Sequence, residues 1–240
     1  MKNTFYDYIA TFVVILISFP CMFFLGIITF VLIILFPNKS RLFLYVFSNI
    51  FVLMFGVFVK TKGIFPKGGP YIFIANHSSF IDYILIVIVM GYKRKWTVVY
   101  GNNLHKYPIF RFFLKRVGIP VDRKSQSSKT EVVELMKNAL RNGFSLAIFP
   151  EGTRMRSFQV DEILLPFKNG AFSVALDLDI PIVPVVFLKP ILYSKPDKPF
   201  PFSPRIINIK YFDLVKGEEN SILFNKRIHK KMKDFLIENP

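Results

Sequence analysis

Two polar clusters hold the side chains best suited to acid–base or anion-binding chemistry, and the first spans residues 76–82. It reads Asn-His-Ser-Ser-Phe-Ile-Asp and directly follows the apolar segment Tyr71 to Ala75. His77 and Asp82 lie five positions apart, across an expected strand-to-helix turn, so their side chains can meet. If Asp82 accepts the Nδ1 proton of His77, Nε2 becomes the basic atom that takes a proton from a substrate hydroxyl. The spacing predicts a general base; a helix cap with a satisfied polar contact is the alternative.

No protein nucleophile accompanies this pair in the sequence. There is no GxSxG segment, and the single cysteine, Cys21, lies inside an apolar run. We therefore expect the substrate to supply the attacking group. One cysteine excludes a disulfide framework, and the three histidines are not spaced as in HExxH, so we expect no metal.

The second cluster is the segment Pro150 to Arg154, directly after the apolar segment Ser145 to Phe149. We expect a turn there that presents Glu151 outward and lets the backbone approach a ligand at Gly152. Arg154 would then project as a two-pronged phosphate partner. An ordinary surface turn is the alternative interpretation.

Charge indicates an anionic partner for the part of the chain after Lys60. The sequence has 32 Lys and Arg against 16 Asp and Glu, a net charge of +16, and most of the cations follow Lys60. Nucleic acid, an anionic membrane leaflet and a phosphorylated substrate all satisfy this charge. Arg123 and Lys168 each follow a short apolar segment, and for both a solvated charge is the default interpretation.

The first 60 residues have the composition of membrane-embedded helices. No charged residue occurs from Tyr8 to Asn38, which exceeds the roughly 20 apolar residues that span a bilayer core. Pro20 should kink or divide this helix. Leu42 to Val59 is again uncharged, so residues 1–60 are predicted to form a helical pair, either a transmembrane hairpin or a pair within one leaflet. Lysines after residue 59 favour the cytoplasmic side for the chain that follows.

Residues 61–240 have the pattern of an α/β domain with a mostly parallel sheet. Short apolar segments predict strands at Tyr71 to Ala75, Thr97 to Tyr100, Ser145 to Phe149, Pro181 to Phe187 and Ile206 to Phe212. Between them, a capping box of Ser128 with Glu131 predicts a helix that ends before Gly143. In such a domain the active-site residues lie at strand ends.

A basic helix is predicted at the C-terminus, over Ser221 to Glu238. Its apolar face carries Leu223, Phe224, Ile228, Met232, Phe235 and Leu236. The helix could lie on a membrane surface. A packing helix with a solvated basic face is the alternative.

Together these segments resemble the glycerolipid acyltransferase superfamily, and within it the 1-acylglycerol-3-phosphate acyltransferases. The family's Asn-His-x-x-x-x-Asp motif is present at residues 76–82, and its Phe-Pro-Glu-Gly-Thr-Arg motif runs over residues 149–154. Gly118 with Arg123 matches the second motif, and residues 182–185 match the fourth. The resemblance covers roughly residues 60 to 215.

The resemblance implies a catalytic pair and an acceptor site. His77 and Asp82 are the implied catalytic residues, and the glycerol phosphate is held by Arg123, Glu151, Gly152, Thr153 and Arg154. The implied reaction moves an acyl group from a thioester of coenzyme A or acyl carrier protein to lysophosphatidic acid, giving phosphatidic acid at a membrane without a cofactor. Many relatives carry a lysine near Gly101; if that lysine binds phosphate in them, Lys106 or Arg111 is the expected substitute here.

Three other functions stay open at this point. An acyltransferase of the same superfamily could act on glycerol-3-phosphate or another lysophospholipid. A lipid hydrolase would use water in place of the acceptor hydroxyl. A membrane-tethered nucleic-acid-binding protein would use the positive charge, but the aromatic residues lie in apolar runs and no recognised binding motif is present.

Overall fold

The computed structural model describes residues 4–79, 81–106, 108–122, 125–154, 163–188, 205–217 and 219–239. The chain forms two compact units. The first contains the described residues of 1–60, 79–93 and 190–207, and the second those of 61–78, 94–189 and 208–240. The predicted division into 1–60 and 61–240 as anchor and catalytic domain stays a prediction.

The first unit is built on helices α1 (Thr4–Leu35), α2 (Ser40–Met54) and α3 (Asp82–Met90). Helix α1 runs through Pro20 and is not divided there. Its segment Leu16–Leu35 is the one helix in the described residues long and apolar enough to cross a membrane. Many of its large apolar side chains are exposed, such as Phe19 at 70%.

The second predicted apolar helix is shorter than its uncharged run. Helix α2 has 15 residues, fewer than the roughly 20 that span a bilayer core. Gly56 follows with φ at +65°, a left-handed conformation that ends helices. Strand β1 (Val57–Lys62) comes next, so the prediction that helix continues to Val59 is wrong.

A seven-stranded sheet holds the predicted strands and two more. The strands are β1, β2 (Ile72–Ala75), β3 (Trp96–Gly101), β4 (Gly118–Val121), β5 (Ser145–Ile148), β6 (Ile182–Leu188) and β7 (Arg205–Tyr211). Their order is β1-β7-β6-β2-β5-β3-β4. Strand β2 lies between β5 and β6 and is parallel to both, β3 is parallel to β4 and β5, and β7 is antiparallel to β6. The predicted α/β fold with a mostly parallel sheet is confirmed.

Helices α4 (Pro108–Val117), α5 (Gln126–Arg141), α6 (Gly170–Asp177) and α7 (Ser221–Glu238) accompany the sheet. Helix α5 begins at Gln126, so Ser128 lies inside its first turn and the predicted capping box is wrong. The segment has serines at 125, 127 and 128, and the pattern does not distinguish them as caps. Gly143, with φ at +76°, follows the helix as predicted.

Helix α7 has the predicted bounds and packs against the core of the second unit. Phe224, Ile228 and Met232 are buried, and the ring of Phe224 meets Phe172 edge to face at 5.6 Å. Burying side chains of this size stabilises a fold by about 1.5–3 kcal/mol each. Asn220 caps the helix by accepting the N–H groups of Ile222 and Leu223. The packing alternative is therefore the correct one for this buried face.

Candidate active site

Asn76 joins the end of β2 to β6. Its Nδ2 donates to the carbonyl oxygen of Phe187 (3.1 Å), and its Oδ1 accepts the N–H of the same residue (2.8 Å). The side-chain amide of Asn76, one residue beyond the end of β2, thus pairs with both the N–H and the C=O of Phe187 in β6, and it fixes the chain immediately before His77. The sequence indicates no role for Asn76 beyond its place in the Asn-His-x-x-x-x-Asp motif. A buried amide at the end of a strand needs hydrogen-bond partners. The place of Asn76 after an apolar strand is the sequence feature that could have indicated this role.

His77 lies two residues after the end of β2, at the carboxyl end of the strand, with 4% of its surface exposed. Its imidazole stacks on the ring of Phe149 with centroids 4.2 Å apart and an angle of 17° between planes. Stacking covers one face of the imidazole and does not use the two nitrogens, which lie at the ring edge. Phe149 is thus a support for the imidazole, whereas the sequence identifies it only as the end of a predicted strand and the first residue of the Phe-Pro-Glu-Gly-Thr-Arg motif.

Glu151 faces inward, and the prediction that it points outward is wrong. It is 5% exposed. Its Oε1 accepts the backbone N–H of His77 at 2.5 Å, and its Oε2 accepts the backbone N–H of Leu165 at 3.1 Å. Buried N–H groups require acceptors, and an ionised carboxylate offers two oxygens that only accept. Glu151 therefore connects the two predicted clusters by holding the backbone of the first.

Helix α7 supports the segment that Glu151 holds. His229 Nε2 lies 3.1 Å from the carbonyl oxygen of Leu165, and Asn225 Nδ2 donates to the carbonyl oxygen of Phe167 at 3.0 Å. Because a carbonyl oxygen only accepts, Nε2 of His229 carries the proton in this contact. The backbone of Leu165 is thus bound at its C=O by α7 and at its N–H by Glu151.

The second cluster becomes exposed towards its end, after the half-buried Gly152. Gly152 has φ at +69°, and its N–H donates to the carbonyl oxygen of Phe149 at 3.0 Å. Thr153 and Arg154 are exposed, as are Lys106 and Arg111. Arg123 lies outside the described residues. The phosphate-binding roles of Arg123 and Arg154 stay predictions.

Asp82 belongs to the first unit, where it is the first residue of α3 and is fully buried. Its Oδ2 accepts the backbone N–H of Ser79 at 2.7 Å. The amino-terminal end of a helix favours an anionic side chain, because the first N–H groups and the helix dipole are positive there. The carboxylate is therefore held by the backbone turn that directly precedes its own helix. Its pairing with His77 stays a prediction.

One known protein family matches a part of the chain that contains both polar clusters. Residues 56–188 match the family described as Acyltransferase, which is more than half of the chain.

The chain belongs to this acyltransferase family.

Named relatives agree with this assignment. The chain is 34% identical over 145 residues to the 1-acyl-sn-glycerol-3-phosphate acyltransferase of Saccharomyces cerevisiae, an alignment covering 58% of this chain and 46% of that protein. It is 32% identical over 151 residues to the 1-acyl-sn-glycerol-3-phosphate acyltransferase of Cocos nucifera, covering 62% and 46% of the two proteins. The match thus spans about half the length of these curated relatives.

The crystal structure of the 1-acyl-sn-glycerophosphate (LPA) acyltransferase PlsC from Thermotoga maritima shares the fold. The TM-score is 0.67 at 22% identity, with 98% of this chain and 93% of that chain covered. At this identity the likeness concerns the fold alone.

The matched residues of this acyltransferase begin at the end of α2 and stop at the last residue of β6. They include His77, Asp82 and Glu151. Helix α7, with its contact from His229 to Leu165, lies outside them. Within the described parts of the chain, no three His, Cys, Asp or Glu side chains are grouped to hold a metal ion.

Proposed function

We propose that this acyltransferase transfers an acyl group from a thioester to the free hydroxyl of 1-acylglycerol-3-phosphate, producing phosphatidic acid. The observation that carries the proposal is the setting of His77. Its imidazole is buried against Phe149, and its backbone is bound by Glu151 of the Phe-Pro-Glu-Gly-Thr-Arg motif. The names of the relatives support the choice of acceptor.

In this mechanism the imidazole of His77 removes the proton of the acceptor hydroxyl as the oxygen attacks the thioester carbonyl. Asp82 accepts the Nδ1 proton and stabilises the imidazolium. The tetrahedral intermediate then collapses, the carbon–sulfur bond breaks, and the thiolate takes the proton from the imidazolium. No acyl-enzyme forms. General-base catalysis contributes about 10²- to 10⁴-fold, so positioning and oxyanion stabilisation supply the remainder.

Arg123 and Arg154 are proposed to bind the phosphate of the acceptor. Gly152 and Thr153, in the same turn as Arg154, are proposed to belong to this binding site. The exposure of Arg154 next to the Glu151 turn supports this role. The inward contacts of Glu151 support a positioning role for that residue instead of contact with phosphate, because two anions repel.

The lipid acceptor favours a membrane location, and α1 is the proposed anchor. Its segment Leu16–Leu35 has the length and apolar character of a membrane span. The lysines after residue 59 support a catalytic domain on the cytoplasmic side. The acyl donor is a thioester of coenzyme A or of acyl carrier protein.

The test uses purified protein with a labelled acyl thioester and separate acceptors. Two donors are used, acyl-coenzyme A and acyl carrier protein that bears the acyl thioester. Each donor is offered with 1-acylglycerol-3-phosphate, glycerol-3-phosphate, a lysophospholipid with a larger head group, or no acceptor. We expect labelled phosphatidic acid that depends on added 1-acylglycerol-3-phosphate. Preference for another acceptor would support the second acyltransferase function, and labelled free fatty acid without an acceptor would support a hydrolase.

The matched control is His77→Ala, which should lower the transfer rate by at least about 100-fold while circular dichroism stays unchanged. A variant that kept more than about a tenth of the wild-type rate would contradict the general-base role.

A further inference from the structure

Helix α7 has a second face, opposite the one that packs in the core. We call it the outer stripe, and its residues recur on one side of the helix at intervals of three or four positions: Leu223, Lys226, Lys230, Lys233 and Ile237, with Ile222 beside the first. Lys233 is half-buried and the others are exposed. Leu223, which the sequence places on the apolar packing face, therefore belongs to the outer stripe instead.

Apolar side chains lie at both ends of the outer stripe. Ile222 is 59% exposed, Leu223 52% and Ile237 53%. They are three of the four large apolar side chains that are exposed among the described residues of α4 to α7. Single exposed apolar residues are common on protein surfaces and need no explanation. Three of them on one side of one helix indicate a surface that another molecule covers.

The middle of the outer stripe is cationic. Within the described residues, Lys226 and Lys230 form no ion pair, whereas Arg227 beside the stripe is paired with Glu219 at 2.8 Å. The helix as a whole carries five Lys and Arg against two acidic residues. The exposed ammonium groups of the stripe are therefore available to an anion outside the chain.

A lipid surface fits this composition better than a protein partner does. Protein interfaces are depleted in lysine and enriched in Tyr, Trp and Arg, whereas the outer stripe consists of lysines and aliphatic residues. At a membrane the apolar stem of a lysine lies among apolar groups while its ammonium reaches the lipid headgroups. A second copy of the helix is disfavoured because its lysines would repel these.

The outer stripe lies one helix away from the segment that supports the site. On its inner side α7 contacts that segment through His229, whose Nε2 is 3.1 Å from the carbonyl oxygen of Leu165. The N–H of Leu165 donates to Glu151. A helix with its side chains is about 10–12 Å across. A bilayer surface on the outer stripe would therefore lie about one helix diameter from the backbone that Glu151 binds, close to where the proposed lipid acceptor reacts.

We propose that the outer stripe of α7 binds the headgroup region of an anionic lipid bilayer. The choice of partner rests on the lipid acceptor of the function proposed above. An anionic leaflet attracts lysines, and each lysine close to the surface strengthens binding about fivefold. Because phosphatidic acid is itself anionic, the surface that α7 binds gains negative charge as the proposed reaction proceeds.

The test places a fluorescent label on the outer stripe of the full-length protein. Cys21 is the single cysteine of the sequence, so Cys21→Ser allows one label at Ile222→Cys or Ile237→Cys. The protein is reconstituted in vesicles of phosphatidylcholine alone or of an equimolar mixture with phosphatidylglycerol. Both contain a trace of lipid whose headgroup carries a spin label that quenches nearby fluorescence. We expect strong quenching in the mixed vesicles and weak quenching in phosphatidylcholine.

A charge variant and a matched control identify the lysines as the cause. Lys226→Gln with Lys230→Gln should lower the ratio of bound to unbound α7 in mixed vesicles about 25-fold, and raised salt should weaken binding of the wild-type stripe. Lys95→Gln with Arg141→Gln removes two exposed cations that precede β3 and β5, and it should be quenched like wild type. Absence of quenching, equal quenching in both kinds of vesicle, or equal losses in the two variants would overturn the proposal.

Quenching needs no turnover, so this result is separate from the proposed reaction. Charge-dependent quenching in protein that transfers no acyl group would support the lipid surface and count against the proposed function. Normal transfer to 1-acylglycerol-3-phosphate without quenching would reject the role of the stripe and leave the proposed function intact. Acyl carrier protein is added in a separate arm. A change in label fluorescence with this acidic protein, and none with anionic lipid, would make the stripe a protein-docking surface and refute the lipid partner.

Discussion

Replacing Glu151 with glutamine tests whether this residue positions His77 or contacts a substrate. Glutamine has nearly the same shape, but its terminal group has one oxygen and one NH₂. The carboxylate accepts two backbone N–H groups, from His77 and Leu165. In Glu151→Gln one of these N–H groups keeps an acceptor, and the other faces a second donor.

The expected cost follows from these two contacts. Leaving one buried N–H unsatisfied costs about 1–3 kcal/mol, and changing the remaining bond from charge-assisted to neutral costs about 1 kcal/mol more. The sum is about 2–4 kcal/mol. A loss of 1 kcal/mol lowers the melting temperature by about 2–4 °C at this chain length, so the fall should be about 4–16 °C. If His77 moves by about 1 Å, kcat should fall by roughly 100-fold with little change in acceptor KM.

The assay combines thermal unfolding in detergent with steady-state kinetics at varied acceptor. Glu134→Gln is the matched control, because Glu134 is an exposed carboxylate that pairs with Lys137 within one helix at 3.6 Å. That change should leave stability and kcat nearly unaltered. If Glu151→Gln melted like wild type and raised only the acceptor KM, Glu151 would contact the substrate and the positioning role would be refuted.

Three further changes test the rest of the site and the anchor. Asp82→Asn should lower kcat strongly at nearly constant acceptor KM, because it favours the wrong imidazole tautomer; an effect on KM alone would exclude the orienting role. Arg154→Ala should lower acceptor kcat/KM by about 10- to 150-fold, with partial recovery in Arg154→Lys, whereas an effect confined to donor KM would place this arginine at the thioester. Deleting residues 1–60 should release the chain from membranes or cause aggregation, measured by extraction at low and high salt; integral behaviour at high salt would contradict the anchor.

The strands that carry the site were predictable because they are buried on both faces. Strand β2 and strand β6 are apolar almost throughout, and a continuous apolar segment with branched residues is the pattern of such strands. The polar clusters that follow β2 and β5 were therefore placed correctly at the end of the sheet. Strand β1 was missed because Lys60, Thr61 and Lys62 are exposed at the sheet edge. Strand β4 was missed because Gly118 and Pro120 are poor strand residues, and it is also an edge strand.

The orientation of Glu151 could not be predicted from its neighbours in sequence. Its two partners lie 74 and 14 positions away, at His77 and Leu165. Only the folded arrangement of three segments makes an inward carboxylate favourable. The roles of Asn76 and Phe149 could not be predicted for the same reason. The partner of Asn76 lies in another strand, and the partner of Phe149 follows another strand.

The contact between His229 and Leu165 affects the order in which the enzyme matures. The two residues are 64 positions apart, and helix α7 is needed before the peptide of Leu165 gains its partner. A ribosome adds about 5–20 residues per second, so the segment that carries Lys168 waits about 3–13 s for this support after its own synthesis. Every residue of the four family motifs has been made by then. The nascent chain therefore completes helix α1 first, and the backbone of Leu165 gains its contact from α7 last.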